Sequence, residues 1–354
     1  MSEKVLMKGN EAIAEAAIQA GCRFFFGYPI TPQTEVSAYM AKRLPKMGGT
    51  FLQAESEIAA INMVLGASSA GVRAMTSSSS PGISLKAEGI SYIAGSDLPC
   101  VIINVQRGGP GLGGIQPSQA DYWQATRALG HGDFHVIVFA PSTVQEMADC
   151  VYDAFDVADL YRMPTLILAD GMLGQMMEPV SIGQRPKREL PPKTWATNGH
   201  QDARKHNVIN SLYLQPADLE KTVTDRFAKY DIIKRDEVLF EEQLIEDADI
   251  VVVAYGATSR IVKSAVKMAR EKGIKAGIIR PITLWPFPTA PIQAAAKKAK
   301  AFLTVEMSMG QMVDDVRLAV NGEKPVHFYG RTGGMIPTPA EVLAEIEKIA
   351  GGVK

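Results

Sequence analysis

Short runs of β-branched and aromatic residues alternate along the chain with longer stretches whose apolar residues recur at steps of three and four. The first helix opens at Gly9-Asn10, with Asn10 as N-cap, and closes at Gly21. Runs 23–26, 50–53, 72–76, 100–105, 135–139 and 165–169 read as strands, the last entered through Pro164. Helical periodicity fills the intervals near Gln33 and over 58–67, 83–94, 118–127 and 143–161. About six strand and helix units in alternation specify a mostly parallel, doubly wound sheet covered on both faces.

The pattern breaks after Met177. Pro179, Pro186, Pro191 and Pro192 lie among many charges and indicate a crossing segment, followed over 217–243 by one or two charged amphipathic helices. A second, smaller α/β unit follows, with strands at 250–256, 276–281, 301–306 and 326–329 and helices at 259–272 and 339–349. The expected division is therefore 1–178, a linker over 179–247, and 248–354. A length of 354 residues with 46% apolar content accommodates two or three cored domains.

Charge narrows the partners. Lys plus Arg (37) nearly balances Asp plus Glu (38), so no bulk field favours nucleic acid or an anionic membrane. The first nine residues lack the apolar core of a signal peptide, and no stretch approaches the roughly 18 uninterrupted apolar residues of a membrane span, so the chain reads as cytoplasmic. Cys22, Cys100 and Cys150 are widely spaced and form no CxxC pair. They are expected as reduced, packed thiols, and the chain by itself cannot hold a 4Fe-4S centre.

The candidate chemistry lies at strand ends. Five glycines fall within the seven residues after Arg107, and Arg107 ends the apolar run that starts at Cys100. Ligands bind at that edge of an open α/β sheet, where a guanidinium suits a carboxylate or phosphate; the alternative is a wide turn with a solvated Arg. Thr31, between Pro29 and Pro32, either offers its hydroxyl to a ligand or caps the next helix. From Glu57, steps of three and four reach Ala60, Ile61, Val64, Ala67 and Ser68, which turns this carboxylate inward while Glu55 faces elsewhere. It either complements the helix dipole or shares a proton with a buried nitrogen base. The hydroxyls of Ser77 to Ser80 either bind an anion or cap a helix. His131 and His135 are spaced like metal ligands but straddle a loop and a strand. Gly109, Gly111 and Gly114 form a G-x-G-x-x-G with Asp133 downstream, yet Pro110 inside it and Pro117 after it oppose a nicotinamide site. No P-loop, nucleophile elbow or HExxH is found.

GYPITP (27–32), QAESE (53–57), TSSSSPG (76–82), QRGGPGLGG (106–114) and GHGD (130–133) together resemble the α subunit of 2-oxoacid:ferredoxin oxidoreductases. The resemblance covers Gly9 to about Val180, and the C-terminal unit is similar to that family's transketolase-C-terminal-like domain, so the two parts correspond to domains I and II of pyruvate:ferredoxin oxidoreductase. It implies thiamine diphosphate bound between a pyrimidine-type domain here and a diphosphate-type domain on a partner chain. Glu57 would hydrogen-bond the pyrimidine ring nitrogen, Gly27, Tyr28 and Pro29 would lie against the cofactor, and Thr31 and Arg107 would hold the 2-oxoacid carboxylate. The Gly-Asp-Gly run that anchors diphosphate and Mg²⁺ in thiamine enzymes is missing. The resemblance therefore implies a β subunit carrying Mg²⁺, the diphosphate site and a 4Fe-4S cluster, with a γ subunit, a ferredoxin-like δ subunit, external ferredoxin, and CoA as co-substrate. GLGGIQ (111–116) and QPSQADY (116–122) look closest to branched-chain, 2-oxoisovalerate members, with Leu112 and Ile115 suited to an apolar side chain. The alternatives are a 2-oxoglutarate enzyme of the same family and a non-catalytic assembly subunit.

Overall fold

In a computed structural model the structure describes residues 4–127, 129–183, 185 and 188–352. The first part contributes β1 (Val5–Lys8), β2 (Phe24–Gly27), β3 (Thr50–Gln53), β4 (Ala74–Ser78), β5 (Cys100–Gln106), β6 (Ile137–Phe139), β7 (Pro164–Asp170) and β8 (Met177–Val180). The second contributes β9 (Phe240–Gln243), β10 (Ile250–Val253), β11 (Ala276–Pro281), β12 (Thr283–Trp285), β13 (Ala301–Glu306) and β14 (Val326–Gly330). The larger sheet has the order β12-β6-β7-β5-β4-β2-β3, parallel except for β12. The smaller runs β14-β13-β10-β11-β9, with β9 antiparallel. This is a doubly wound parallel sheet joined to a smaller α/β domain. The largely apolar runs of β5 and β7 follow from their position, since every residue of both is buried.

Several local expectations give way to tertiary contacts. The first helix is Gly9–Gln19 with Lys8 at the N-cap, so Asn10 lies inside it, and its buried amide reaches across to Pro32 O at 2.8 Å. Thr31 caps nothing: the helix Thr34–Arg43 is preceded by Gln33, which makes no side-chain cap bond. The helix expected over 118–127 is confined to Tyr122–Thr126. Gln119 instead spends its backbone on the second domain, donating N–H to Met307 O at 2.8 Å and accepting from the Tyr255 hydroxyl at 3.1 Å. Its amide donates to Tyr255 O at 2.9 Å and accepts from Thr258 Oγ1 at 2.7 Å and Met307 N at 3.0 Å.

The two sheets interlock further. β12, three residues too short to register as a strand in the sequence, leaves the second domain to pair with β6. Arg280, almost wholly buried, forks onto Glu146 at 2.8 and 2.9 Å and meets Glu241 at 2.7 Å. The three cysteines are free and buried. Among the described residues no helix is long and apolar enough to cross a membrane.

Candidate functional site

Parallel pairing brings Gly27, Gln53, Ser78, Gln106 and Asp170 to one edge of the larger sheet. The segments leaving this edge carry the chemistry. Glu57 is the first residue of the helix Glu57–Ser69, fixed there by the Ser56 hydroxyl, which accepts from Ala59 N at 3.1 Å. Its side chain is buried at 6% exposure, in line with Ala60, Ile61, Val64 and Ser68, whereas Glu55 is exposed.

The carboxylate lies on bare backbone. Gly82, in the first turn of the helix Ser80–Gly95, faces it so closely that a Cβ there would stand 2.6 Å from Glu57 Oε1 and 2.1 Å from Ser78 Oγ. Among the described residues nothing hydrogen-bonds the Glu57 carboxylate, and Thr76 Oγ1, Ser78 Oγ and Ser79 Oγ are buried without partners. Buried polar atoms left unpaired cost about 1–3 kcal/mol each. A carboxylate acceptor and the orphaned Ser78 hydroxyl converging on one glycine suit the polar edge of a planar nitrogen heterocycle, so the residues fit an aminopyrimidine.

Arg107 is held as the end of β5 requires. Its backbone N donates to Ser80 Oγ at 3.0 Å, Nη1 to Thr31 O at 3.0 Å and Nη2 to Leu112 O at 3.2 Å, while Nε is buried without a partner. Ser80 passes its own proton to Asp121 at 2.6 Å, and Asn104 donates to the same carboxylate at 2.9 Å. Burial pushes the Asp121 carboxyl above its ordinary range, against the pull of these two bonds. Ser77 Oγ donates to Gln33 Oε1 at 2.5 Å, and Gln33 Nε2 to Tyr28 O at 3.4 Å. Ser77, near the end of β4, thus ties down the 28–33 segment, and Arg107 holds the same segment through Thr31 O.

Gly27 is buried with Phe25 against it, and Tyr28, Pro29 and Thr31 are exposed beyond it. The Thr31 hydroxyl makes no hydrogen bond among the described residues, while its carbonyl is taken by Arg107. Leu112 and Ile115 stand out at 84% and 56% exposure. The Gly-rich loop closes on itself through Gly114 N to Gly108 O at 2.9 Å and Gly108 N to Gln116 O at 3.0 Å. No helix opens from it, so no helix N-terminus faces a pyrophosphate, which removes the physical basis of the nicotinamide reading. The two histidines have separate places. His135 stacks on Trp285 at 4.6 Å, His131 lies 3.4 Å from Ser91 Oγ, and no metal-ligand cluster occurs among the described residues. A cleft of about 1040 Å³, lined by Phe240, Trp285 and Phe287, includes none of the site residues. Sequence reasoning missed Asn104, Asp121, Gln33 and Gly82. The one legible signal was Asn104, a polar residue inside a largely apolar buried strand.

Residues 15–236 match the family described as pyruvate flavodoxin/ferredoxin oxidoreductase, thiamine diP-binding, and residues 248–342 match pyruvate:ferredoxin oxidoreductase core domain II. The chain is 48% identical to the ketoisovalerate oxidoreductase subunit VorB of Methanothermobacter marburgensis, covering 98% of each chain. It is 39% identical to the 2-oxoglutarate synthase subunit KorA of Methanothermobacter thermautotrophicus, covering 99% of this chain and 100% of that one. Among solved structures it superimposes on the 2-oxoglutarate:ferredoxin oxidoreductase of Magnetococcus marinus with a TM-score of 0.88 at 30% identity, over 98% of this chain and 65% of that one. A split-gene transketolase, 16% identical with a TM-score of 0.59, shares the fold. With a thiamine-binding first domain, a core-domain-II second domain and subunit relatives matched end to end, the chain belongs to the 2-oxoacid:ferredoxin oxidoreductase family.

Proposed function

We propose that the chain is the α subunit of a CoA-dependent oxidoreductase that decarboxylates a 2-oxoacid to an acyl-CoA and passes electrons to ferredoxin. The observation that carries this is Glu57, a buried and unpaired carboxylate on a glycine floor at the ligand-binding edge of the sheet. The thiamine diphosphate would supply a carbanion nucleophile and an electron sink at this edge. Glu57 would hold a proton against the ring nitrogen, with Gly27, Tyr28 and Pro29 forming the adjacent wall. Arg107 spends two of its N–H groups on carbonyls, which locks the guanidinium in place and leaves Nε–H and the second hydrogen of each Nη for the substrate carboxylate. The Thr31 hydroxyl adds a further donor. Fixing the carboxylate there orients the bond to be broken: carbon dioxide would leave neutral, and the bonding electron pair would stay on the substrate carbon, where the cofactor would take it up.

Partner chains follow from what this chain lacks. It has no Gly-Asp-Gly run for Mg²⁺ and diphosphate and no cysteine cluster. A β subunit carrying Mg²⁺, the diphosphate site and a 4Fe-4S cluster fits this division, together with a γ subunit and a ferredoxin-like δ subunit. Tyr28, Leu52, Ile58, Leu112 and Ile115, all exposed on segments at or leaving the same sheet edge, suit such a docking face. Three buried free thiols fit a reducing, cytoplasmic compartment. A branched-chain substrate such as 2-oxoisovalerate is supported by Leu112 and Ile115 and by the higher identity to a ketoisovalerate subunit than to a 2-oxoglutarate one.

The test is CoA-dependent viologen reduction by the co-purified complex over a panel of 2-oxoacids, with Glu57→Gln alongside. Loss of turnover in an intact Glu57→Gln complex is expected. Unchanged turnover would reduce the chain to an assembly subunit, and a preference for 2-oxoglutarate would overturn the branched-chain assignment.

A further inference from the structure

The helix Ser80–Gly95 turns Gly82, Lys86 and Gly89 to one side, at spacings of four and three. That side packs on the helix Glu57–Ser69. Gly82 lies under the Glu57 carboxylate, and at Gly89 a Cβ would stand 2.4 Å from Ile61 Cγ2. Between these two close approaches sits a lysine, Lys86, with no exposed surface. Its Nζ reaches one acceptor, the Glu57 carbonyl at 3.4 Å, a long bond for an ammonium. An ammonium sunk among apolar residues at the positive end of a helix is unfavourable on both counts. Burial draws the Lys86 amine down to about 8, and the Glu57 charge acts in the opposite direction.

Among the described residues of the elements packed around it, no other charge compensates it. Glu57 is the one ionisable residue of its helix; β4 has none, β5 has Cys100, and β7 has Asp170 at its end. On the lysine's own helix the other ionisable residues, Glu88 and Tyr92, bond each other at 2.7 Å in an exposed pair. Lys86 thus sits at the Glu57 backbone carbonyl without forming an ion pair with the carboxylate, and on these packed elements, among the described residues, Glu57 is the nearest opposite charge named for it.

We propose that Lys86 is a positioning residue of the thiamine site, a buried cation at the first turn of the Glu57 helix that sets the direction of the proton Glu57 shares with the cofactor's ring nitrogen. The inference rests on the assignment of Glu57 made above. A positive charge near one end of a shared proton drives it toward the other end, and here the far end is the ring. Loss of the lysine's proton removes that push.

The experiment measures thiamine diphosphate affinity of the complex with its partner chains, by fluorescence titration from about pH 6 to about pH 9.5. Wild type is expected to hold its affinity and then lose it with a midpoint near 8. Lys86→Met, which keeps the length of the stem, should bind about tenfold more weakly below that midpoint, the weight of one pKa unit, and show no step. Lys86→Arg keeps a charge that does not titrate in this range, so it should retain affinity and also lose the step. Melting temperatures of both variants report on packing separately. Wild-type affinity and an unchanged step in Lys86→Met would overturn the proposal, as would an equal loss in the Met and Arg variants. If Glu57→Gln still turns over, the function assignment fails; if Glu57→Gln is dead while Lys86→Met behaves as wild type, this inference alone fails.

Discussion

Replacing Gly82 by Ala adds one methyl group where the structure leaves no room for it. The new Cβ would lie 2.6 Å from Glu57 Oε1 and 2.1 Å from Ser78 Oγ, whereas ordinary contacts begin near 3.4 Å. Both neighbours are the ends of side chains, so the backbone can stay and the carboxylate and hydroxyl must retreat by roughly an ångström. Overpacking of this kind costs about 1–3 kcal/mol. Exchanging Gly for Ala inside a helix returns about 1 kcal/mol, so the net loss of stability is about 2 kcal/mol at most. For a protein of this size that is a fall of a few degrees in melting temperature. Function responds far more, because a displacement of about 1 Å in a reacting group costs on the order of a hundredfold in rate. The expected outcome is a folded complex with weakened thiamine diphosphate binding and kcat/KM for CoA-dependent viologen reduction lowered about a hundredfold. Gly66→Ala is the matched control. It lies in the helix that begins at Glu57, is exposed, and has nothing within 4 Å of its Cβ position. It should raise stability by about 0.4–1 kcal/mol and leave turnover unchanged. A Gly82→Ala complex with wild-type affinity and turnover would show that the Glu57 carboxylate does not meet the cofactor.

Arg107→Lys loses the fork that serves Thr31 O and Leu112 O together, and KM for the 2-oxoacid should rise by about 10- to 100-fold with the melting temperature little changed. Gly334→Ala, at φ +90° with its Cβ 2.4 Å from that of Gln116, should loosen the Gly-rich loop from the second domain, raising KM and exposing the loop to hydrogen exchange. Glu146→Gln tests the domain junction through pH. Burial alone would raise the Glu146 carboxyl, but hydrogen bonds and charge from Arg280, with donors from Ser142, hold it below the ordinary 4.5. A group depressed in the folded state stabilises above its unfolded pKa and loses that contribution as pH falls through the folded one. Wild type should therefore exceed Glu146→Gln in melting temperature at neutral pH, with the gap narrowing once pH drops below about 4.5.

How much of this was legible in the sequence depended on the range of the forces involved. The alternation of apolar runs and helical periodicity is local, and it located the β2 to β7 units and the inward direction of Glu57. Gln119 is the opposite case. Its neighbours have helical spacing, yet its backbone and amide are claimed by Tyr255, Thr258 and Met307, more than a hundred residues away. Asn10 looked like a cap because its type and position are those of a cap, and only the approach of Pro32 makes its amide more useful inside the helix. Strand β12 has three residues and gains its identity from an edge supplied by β6. Asp121 carries no motif, and its importance follows from Ser80 and Asn104 converging on it.

The same contacts explain why a second domain without site residues bears on the site. Arg107 is aimed by Leu112 O and Thr31 O, so its direction is only as fixed as the Gly-rich loop. The exposed tip of that loop has little packing of its own, and glycines give its backbone wide freedom. What fixes it lies at its C-terminal end. Gln116 O receives Gly108 N and its side chain is pressed by Gly334, and three residues on, Gln119 is bonded into the second domain five times over. A flexible loop clamped at its base holds its arginine without a bulky side chain to fix it. On this reasoning the second domain contributes to catalysis through the entropy it removes from residues 108–116, and its variants should act on KM and loop exchange before they touch the proton chemistry of Glu57.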